Sequence, residues 1–334
     1  MELGLYTFGD LTPDPHTGRP VAARQRYAEI LEAGKLADDA GLQIFGIGEH
    51  HRLDMAISSP AVVMAALAVL TKRIRLTSAV TILSTLDPVR VFEDFATVDL
   101  LSGGRAELTA GRGAFRESFP LFGADLADYD ALFAEKIELL LKLDAGSLVD
   151  WQGRFRTPLR QAEISPRPVG KLSIWIGLGG TPESALRAGT LGLPVVLANI
   201  SKPPAALAPQ IAAYRERYEA AGHDPAAQKV AVATHVYLAP DSQTARDEFY
   251  PYYNAYLAAH GRGVAREAFE TRASALGPIF VGSPQEIIDK IIYERGLFAH
   301  DRFLAQLDIG GLPYAKVARS IELLATKVLP ALPA

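Results

Sequence analysis

The chain has 334 residues, 49% hydrophobic and 22% charged, with a formal net charge of −4 and no cysteine. Those figures describe a water-soluble globular protein, exclude disulfides and thiolate chemistry, and leave any redox work to a bound cofactor. No concentrated basic face argues for nucleic acid, no stretch approaches the roughly eighteen apolar residues of a membrane span, and MELGLYTFGD lacks a signal-peptide layout. The expectation is a cytoplasmic protein with a small-molecule substrate.

Short apolar runs alternate with longer amphipathic stretches. In chain order the periodicity predicts strand Leu3–Phe8, helix Val21–Ala40, strand Gln43–Ile47, helix Ser59–Leu70, strand Ile74–Ile82, helix Val89–Leu101, strand Arg105–Ala110 and helix Leu132–Leu143. It continues with strand Leu172–Gly177, helix Pro182–Leu191, strand Pro194–Ala198, helix Pro203–Ala221, strand Val230–Leu238, helix Pro284–Arg295, strand Arg302–Asp308 and helix Pro313–Leu329. Eight of each, in regular alternation and with no linker-like tract, predict an α/β fold: one (β/α)8 TIM barrel domain over residues 1–334. Pro182, Pro284 and Pro313 open helices where no N–H is needed, and Gly41 closes the first helix as its C′ residue. Two stretches interrupt the alternation, Ala145–Lys171 with Trp151 and Phe249–Leu276 with four tyrosines; both are candidates for a lid or substrate wall at the C-terminal rim.

The chemistry-bearing residues cluster where strands end. The second strand runs into Gly48-Glu49-His50-His51, a catalytic address in a barrel, where a histidine can move a proton near neutral pH. One of the two imidazoles can instead be structural, bonded to Glu49 or a backbone carbonyl, and adjacent histidines on an extended segment point to opposite faces, which disfavours a metal site. After the fourth strand, Gly111-Arg112-Gly113 offers a guanidinium fork between glycines; alone it is equally an ordinary turn. After the fifth, Gly177-Leu178-Gly179-Gly180-Thr181-Pro182-Glu183-Ser184 forms a Gly-rich entry to a helix with two hydroxyls, a phosphate cradle that is neither a Walker loop nor GxGxxG. A plain N-cap would account for Thr181 but not for the glycines before it.

Taken together these segments resemble the bacterial luciferase-like flavin monooxygenases. The resemblance runs through nearly the whole chain: GEHH at Gly48–His51, the segment from Thr77 to Gly113, GGTPES and the following GLP at Gly192–Pro194, GSPQEIIDKI at Gly282–Ile291, and the closing SIELLATKVLP. It implies a TIM barrel that takes reduced FMN from a separate flavin reductase and uses O2 on a small organic, possibly aldehyde-like, substrate. It further implies Arg112 on the flavin phosphate with Gly179, Gly180, Thr181 and Ser184, His50 as the catalytic histidine beside the ring, and a non-prolyl cis peptide at Ala79-Val80 against it. Gly111 stands where the luciferase catalytic subunit has a cysteine next to the flavin, so light emission is not expected. Relatives are commonly dimers, and Ser59–Leu70 is an apolar helix suited to a homodimer contact.

The substrate wall is sought among Phe8, Phe115, Phe119, Trp151 and the tyrosines of Tyr250–Tyr256, each of which can also be an ordinary core aromatic. Three other readings remain open: a dehydrogenase using F420 on the same fold, a barrel metallohydrolase using His50, His51, His235 and an acid, and a non-catalytic flavin-binding partner subunit.

Overall fold

Every apolar run named above becomes a strand in the computed structural model, which describes residues 1–179 and 181–333. The strands are β1 (Glu2–Thr7), β2 (Ile44–Ile47), β3 (Arg75–Ser78), β4 (Thr81–Ile82), β5 (Ala106–Gly111), β6 (Leu148–Trp151), β7 (Leu159–Glu163), β8 (Ser173–Leu178), β9 (Val195–Ala198), β10 (Val230–Leu238), β11 (Phe280–Gly282) and β12 (Arg302–Gln306). Eight of them pair in parallel in the order β1-β2-β3-β5-β8-β9-β10-β12, and β12 pairs back to β1, so the sheet closes into the expected barrel. Around it run α1 (Ala23–Asp39), α2 (Pro60–Leu70), α3 (Pro88–Ser102), α4 (Ser118–Leu121), α5 (Tyr129–Ala145), α6 (Pro182–Leu191), α7 (Ala208–Ala220), α8 (Ser242–Ala259), α9 (Arg266–Ala273), α10 (Pro284–Phe298) and α11 (Tyr314–Leu323).

Local chemistry sets most boundaries as read. Pro182 and Pro284 are first helical residues, and Gly41 follows α1 at φ +86°, a conformation that a side chain would strain. Pro313 sits one place earlier than expected, as the N-cap of α11. The third strand is the larger departure: β3 stops at Ser78 and pairing resumes only in β4, and the Ala79-Val80 peptide between them is cis.

Both interrupting stretches hold regular structure. Residues 145–171 contain an antiparallel hairpin, β6 with β7, whose tip is tied to the outer helix α5: Glu135 accepts from the backbone N–H groups of Arg154 and Phe155 at 2.7 and 3.0 Å. The tyrosines of 250–256 belong to α8, which begins well before Phe249 because Asp241 caps it by accepting from Thr244 N at 2.9 Å. Pro251 inside α8 removes one backbone donor, which hides the helix from a periodicity reading.

Two cores result. The large one lies between sheet and helices, while a small one inside the barrel consists of Tyr6, Ile44, Ala233 and Leu304 with Phe8, Ala79 and Val196 against it. Below that inner layer, at the N-terminal end of the strands, Arg302 donates to both carboxylate oxygens of Glu107 and to Glu2, with its guanidinium 4.3 Å from the Trp175 ring centroid. Above it the inward positions turn small, with Gly111, Gly177 and Ala198 on neighbouring strands, and the barrel opens.

Candidate active site

A cavity of about 820 Å³ opens at the C-terminal ends of the strands, the rim at which barrel loops collect. Its walls include His50, Ala79, Val80, Gly111, Arg112, Gly179 and Thr181, so most of the residues singled out in the sequence share one space. Ser184 stands one turn into α6, hydroxyl to hydroxyl with Thr181 at 3.1 Å. Gly180 lies outside the described residues.

The exit of β2 is held by Glu49. One carboxylate oxygen accepts from Ile82 N at 2.9 Å and the other lies 2.9 Å from His51 Nε2, so this buried side chain ties the end of β2 to β4 and fixes the second imidazole. His51 is thus the structural member of the pair, with Phe122 edge-on to it at 4.8 Å. His50 differs. Its ring lies 4.6 Å from Phe8 and 5.4 Å from Phe115, and its Nδ1 is buried without a hydrogen-bond partner. Burial pushes its pKa down to about 4; Asp54 raises it in part, while Arg52, His260 and His51 lower it further. His50 is therefore a neutral imidazole at neutral pH, able to donate or accept.

Arg112 reaches across from the β5 exit to the β8 exit. Its Nη2 donates to Thr181 Oγ1 at 2.6 Å and its Nη1 to Asp130 Oδ1 at 2.5 Å, while the guanidinium covers the Tyr129 ring at 5.0 Å. Thr181 occupies the N-cap position of α6, yet its side chain makes no capping bond; the hydroxyl faces Arg112 and Ser184 instead. A plain N-cap is thereby excluded. The glycines have a packing reason: a Cβ built on Gly111 would meet Val80 Cγ2 at 2.3 Å, and one on Gly177 would meet Val80 Cγ1 at 2.8 Å. Val80 thus fills the space a cysteine at position 111 would need.

The wall residues divide unevenly. Phe8, Phe115 and Tyr256 line the cavity. Phe119 does not, being fully buried and stacked on Tyr129 at 5.4 Å, and neither do Tyr250, Tyr252, Tyr253 or Trp151, whose hairpin packs outside. Sequence reasoning missed Arg52, Asp130, His260, Arg262 and Arg272, none of which belongs to a spaced motif. Arg52 alone carries a signal, directly following His51; it chelates Asp54 at 2.9 Å with two nitrogens and reaches Glu117 Oε1 at 2.5 Å. His50, His51 and His235 do not assemble as a metal-binding group: among the described residues no three histidine, aspartate or glutamate side chains do.

The sequence pattern of the luciferase-like monooxygenases matches residues 1–301. The chain belongs to this family. Among other luciferase-like proteins, it is 31% identical over 186 residues to the N-acetyl-S-alkylcysteine monooxygenase of Bacillus subtilis, a match covering 54% of this chain and 53% of that one. It is 24% identical over 368 residues, 99% of this chain and 95% of the other, to the oxygenase component of the flavin-dependent trigonelline monooxygenase of Acinetobacter baylyi. The chain spans about half the length of the first curated relatives it matches. The crystal structure of the monooxygenase RslO1 from Streptomyces bottropensis superposes with a TM-score of 0.87 at 26% identity, covering 99% of both chains.

Proposed function

We propose that this chain is a single-barrel oxygenase that takes reduced FMN from a separate flavin reductase and uses it with O2 on a small organic substrate, in the cytoplasm. The observation that carries this reading is the convergence of Arg112, Thr181 and Ser184 from two different strand exits on one edge of a large cavity that also holds a neutral His50 with an unpartnered Nδ1. A guanidinium fork beside two hydroxyls is the donor set a terminal phosphate requires. Asp130, the other partner of Arg112, has a side chain 68% exposed, so a phosphate displaces it into water at little cost. A relative named as the oxygenase component of a flavin-dependent monooxygenase supports a flavin cofactor and a reductase partner.

When bound, reduced flavin supplies the electrons with which O2 is activated. This chain's own part is to hold and to shield. Arg112, Thr181 and Ser184, with Gly179 beside them, would hold the phosphate; Ala79 and Val80 would line the space for the flavin, and Gly111 leaves room for Val80. His50, kept uncharged by burial, holds or passes a proton at its unpartnered Nδ1, and Phe8 and Phe115 on either side keep water from it. With Val80 occupying the space beside Gly111, no light-emitting role is proposed. Val62, Val69 and Leu70 on α2, and Leu100 and Leu101 on the neighbouring α3, are exposed apolar side chains that suit a homodimer contact.

An anaerobic titration of the apo protein with reduced FMN and with reduced F420 tests the cofactor. Tighter binding of FMN is expected; preferential binding of F420 would replace this reading by the dehydrogenase one. Sedimentation equilibrium tests the dimer, and a chain that stays monomeric at micromolar concentration would remove it.

A further inference from the structure

We infer that the side of the cavity formed by the seventh barrel strand and α9 takes the anionic oxygen, carboxylate or phenolate, of an aromatic substrate between the Arg272 guanidinium and the His235 imidazole. The inference rests on the cavity being the reaction site proposed above, and it specifies the substrate class for that site.

Three observations carry it. The first is charge. Four guanidinium groups line the cavity, those of Arg52, Arg112, Arg262 and Arg272, against only two carboxylates, Glu49 and Glu117. Glu49 is taken up by His51 and Ile82 N, and Glu117 by Arg52, which also holds Asp54. Arg112 has Asp130 and the Thr181 hydroxyl. Among the described residues Arg272 has no carboxylate within 4 Å; it donates only to the Tyr253 hydroxyl at 3.1 Å. A partly buried guanidinium facing a cavity without an anion is an anion site in waiting.

The second is His235. It is nearly fully buried on β10, lines the cavity, and keeps its Nδ1 without a partner. Its ring meets Tyr253 at 5.9 Å, the residue whose hydroxyl Arg272 holds, so the imidazole and the guanidinium are neighbours through one tyrosine. Burial pushes His235 down to about 4, with Gln306 alongside raising it and Arg272 lowering it, so it stays neutral and offers an N–H rather than a second charge.

The third is the wall between this corner and His50. Tyr256 lies 5.6 Å from His235, His260 4.8 Å from Tyr256, Phe115 5.6 Å from His260, and His50 5.4 Å from Phe115. All line the cavity. An unbroken arc of rings leads from the candidate anion site to the proton-handling imidazole, a surface on which a flat aromatic body stacks with its charged oxygen at one end and its reacting end near His50.

The test uses protein loaded with FMN, so that Arg112 is occupied, and measures equilibrium binding of benzoate and 4-nitrophenol against their uncharged counterparts benzamide and 4-nitroanisole. The wild type is expected to bind one or both anions about tenfold more tightly than the uncharged partner, as a bond to a charged group allows, and the member of the pair preferred identifies carboxylate or phenolate. Bound 4-nitrophenol is expected to ionise at lower pH than the free dye. Arg272→Met and His235→Phe should erase the preference, Arg272→Lys should restore part of it, and all three should keep wild-type FMN affinity, which a general loss of folding would not. Equal or unmeasurable binding of all four probes by the wild type, or a preference that survives Arg272→Met, overturns the inference. Loss of FMN binding with the anion preference intact would instead sink the flavin assignment alone.

Discussion

At the N-terminal end of the barrel Arg302, 2% exposed, spends its donors on Glu107 and Glu2 and stacks on Trp175, so a buried charge is neutralised on every side. At the C-terminal end His50 and His235, comparably buried, each keep a ring nitrogen unpartnered, and among the described residues Arg272 has no carboxylate within 4 Å. A folded protein satisfies its buried polar groups unless something else is to satisfy them. Around Arg302 the lower end is a closed plug, although nearby His300 keeps both ring nitrogens unpartnered; at the upper end the unpartnered imidazoles line a cavity, where a ligand can complete them.

The largest effect is expected in acid, and buried imidazoles at both ends share it, since His300 near the lower end is pushed down to about 3. His50 and His235 are pushed from 6.5 to about 4, so between those values the unfolded chain takes up protons that the folded chain refuses. Stability is full above pH 6.5 and falls as pH drops toward 4, by at most roughly 3 kcal/mol per imidazole. Asp308, pushed up by burial to about 6, works the other way, holding a proton in the folded state that the unfolded chain has released, and offsets part of the loss. Urea unfolding at a series of pH values checks this, and His50→Phe should flatten the profile; an unchanged profile would remove the neutral imidazole.

Next in size is the plug. Glu107→Ala leaves a buried guanidinium short of its main partner and should cost about 3–5 kcal/mol in urea unfolding. Reduced-FMN affinity should stay within about twofold. A loss below about 1 kcal/mol would mean that water or Glu2 replaces the lost carboxylate. At the upper end His50→Gln should leave stability nearly unchanged while slowing turnover about 100-fold, the contribution expected of a positioned proton carrier. Turnover near the wild-type rate would remove His50 from the mechanism. The smallest effect is expected from Trp151→Phe, on the outer hairpin: substrate and flavin affinities should stay within about twofold, and a large KM change would bring the hairpin back to the cavity.

How much of this the sequence revealed follows from which interactions are local. Val230–Leu238 and Pro182–Leu191 are read to the residue because periodicity and an opening proline are properties of a single segment. Arg112 and Thr181 were legible as candidates because glycines flank the first and precede the second, but their mutual contact joins residues 69 apart and exists only once β5 and β8 pair. The break in the third strand carries no periodic signal at all, so Ile74–Ile82 reads as one strand; only the cis peptide at Ala79-Val80 was implied by the family resemblance. His260 and Arg272 were invisible because no spaced motif holds them; His50, Phe115, Tyr256 and His235 were each named, but not as one arc, since its rings come from three separate rim segments and a strand. Trp151 misled because a long insertion was assigned to the rim, whereas residues after α5 return along the outside of the barrel.

The account turns on one phosphate grip, and comparing FMN with riboflavin, which lacks the phosphate, isolates it. Anaerobic titrations of the wild type and of Arg112→Ala with both reduced flavins should show the wild type preferring FMN by about 100-fold and the variant binding both with similar, weak affinity. If the wild type binds riboflavin as tightly as FMN, or the variant keeps the full preference, then Arg112, Thr181 and Ser184 do not hold a phosphate and the assignment of this cavity fails.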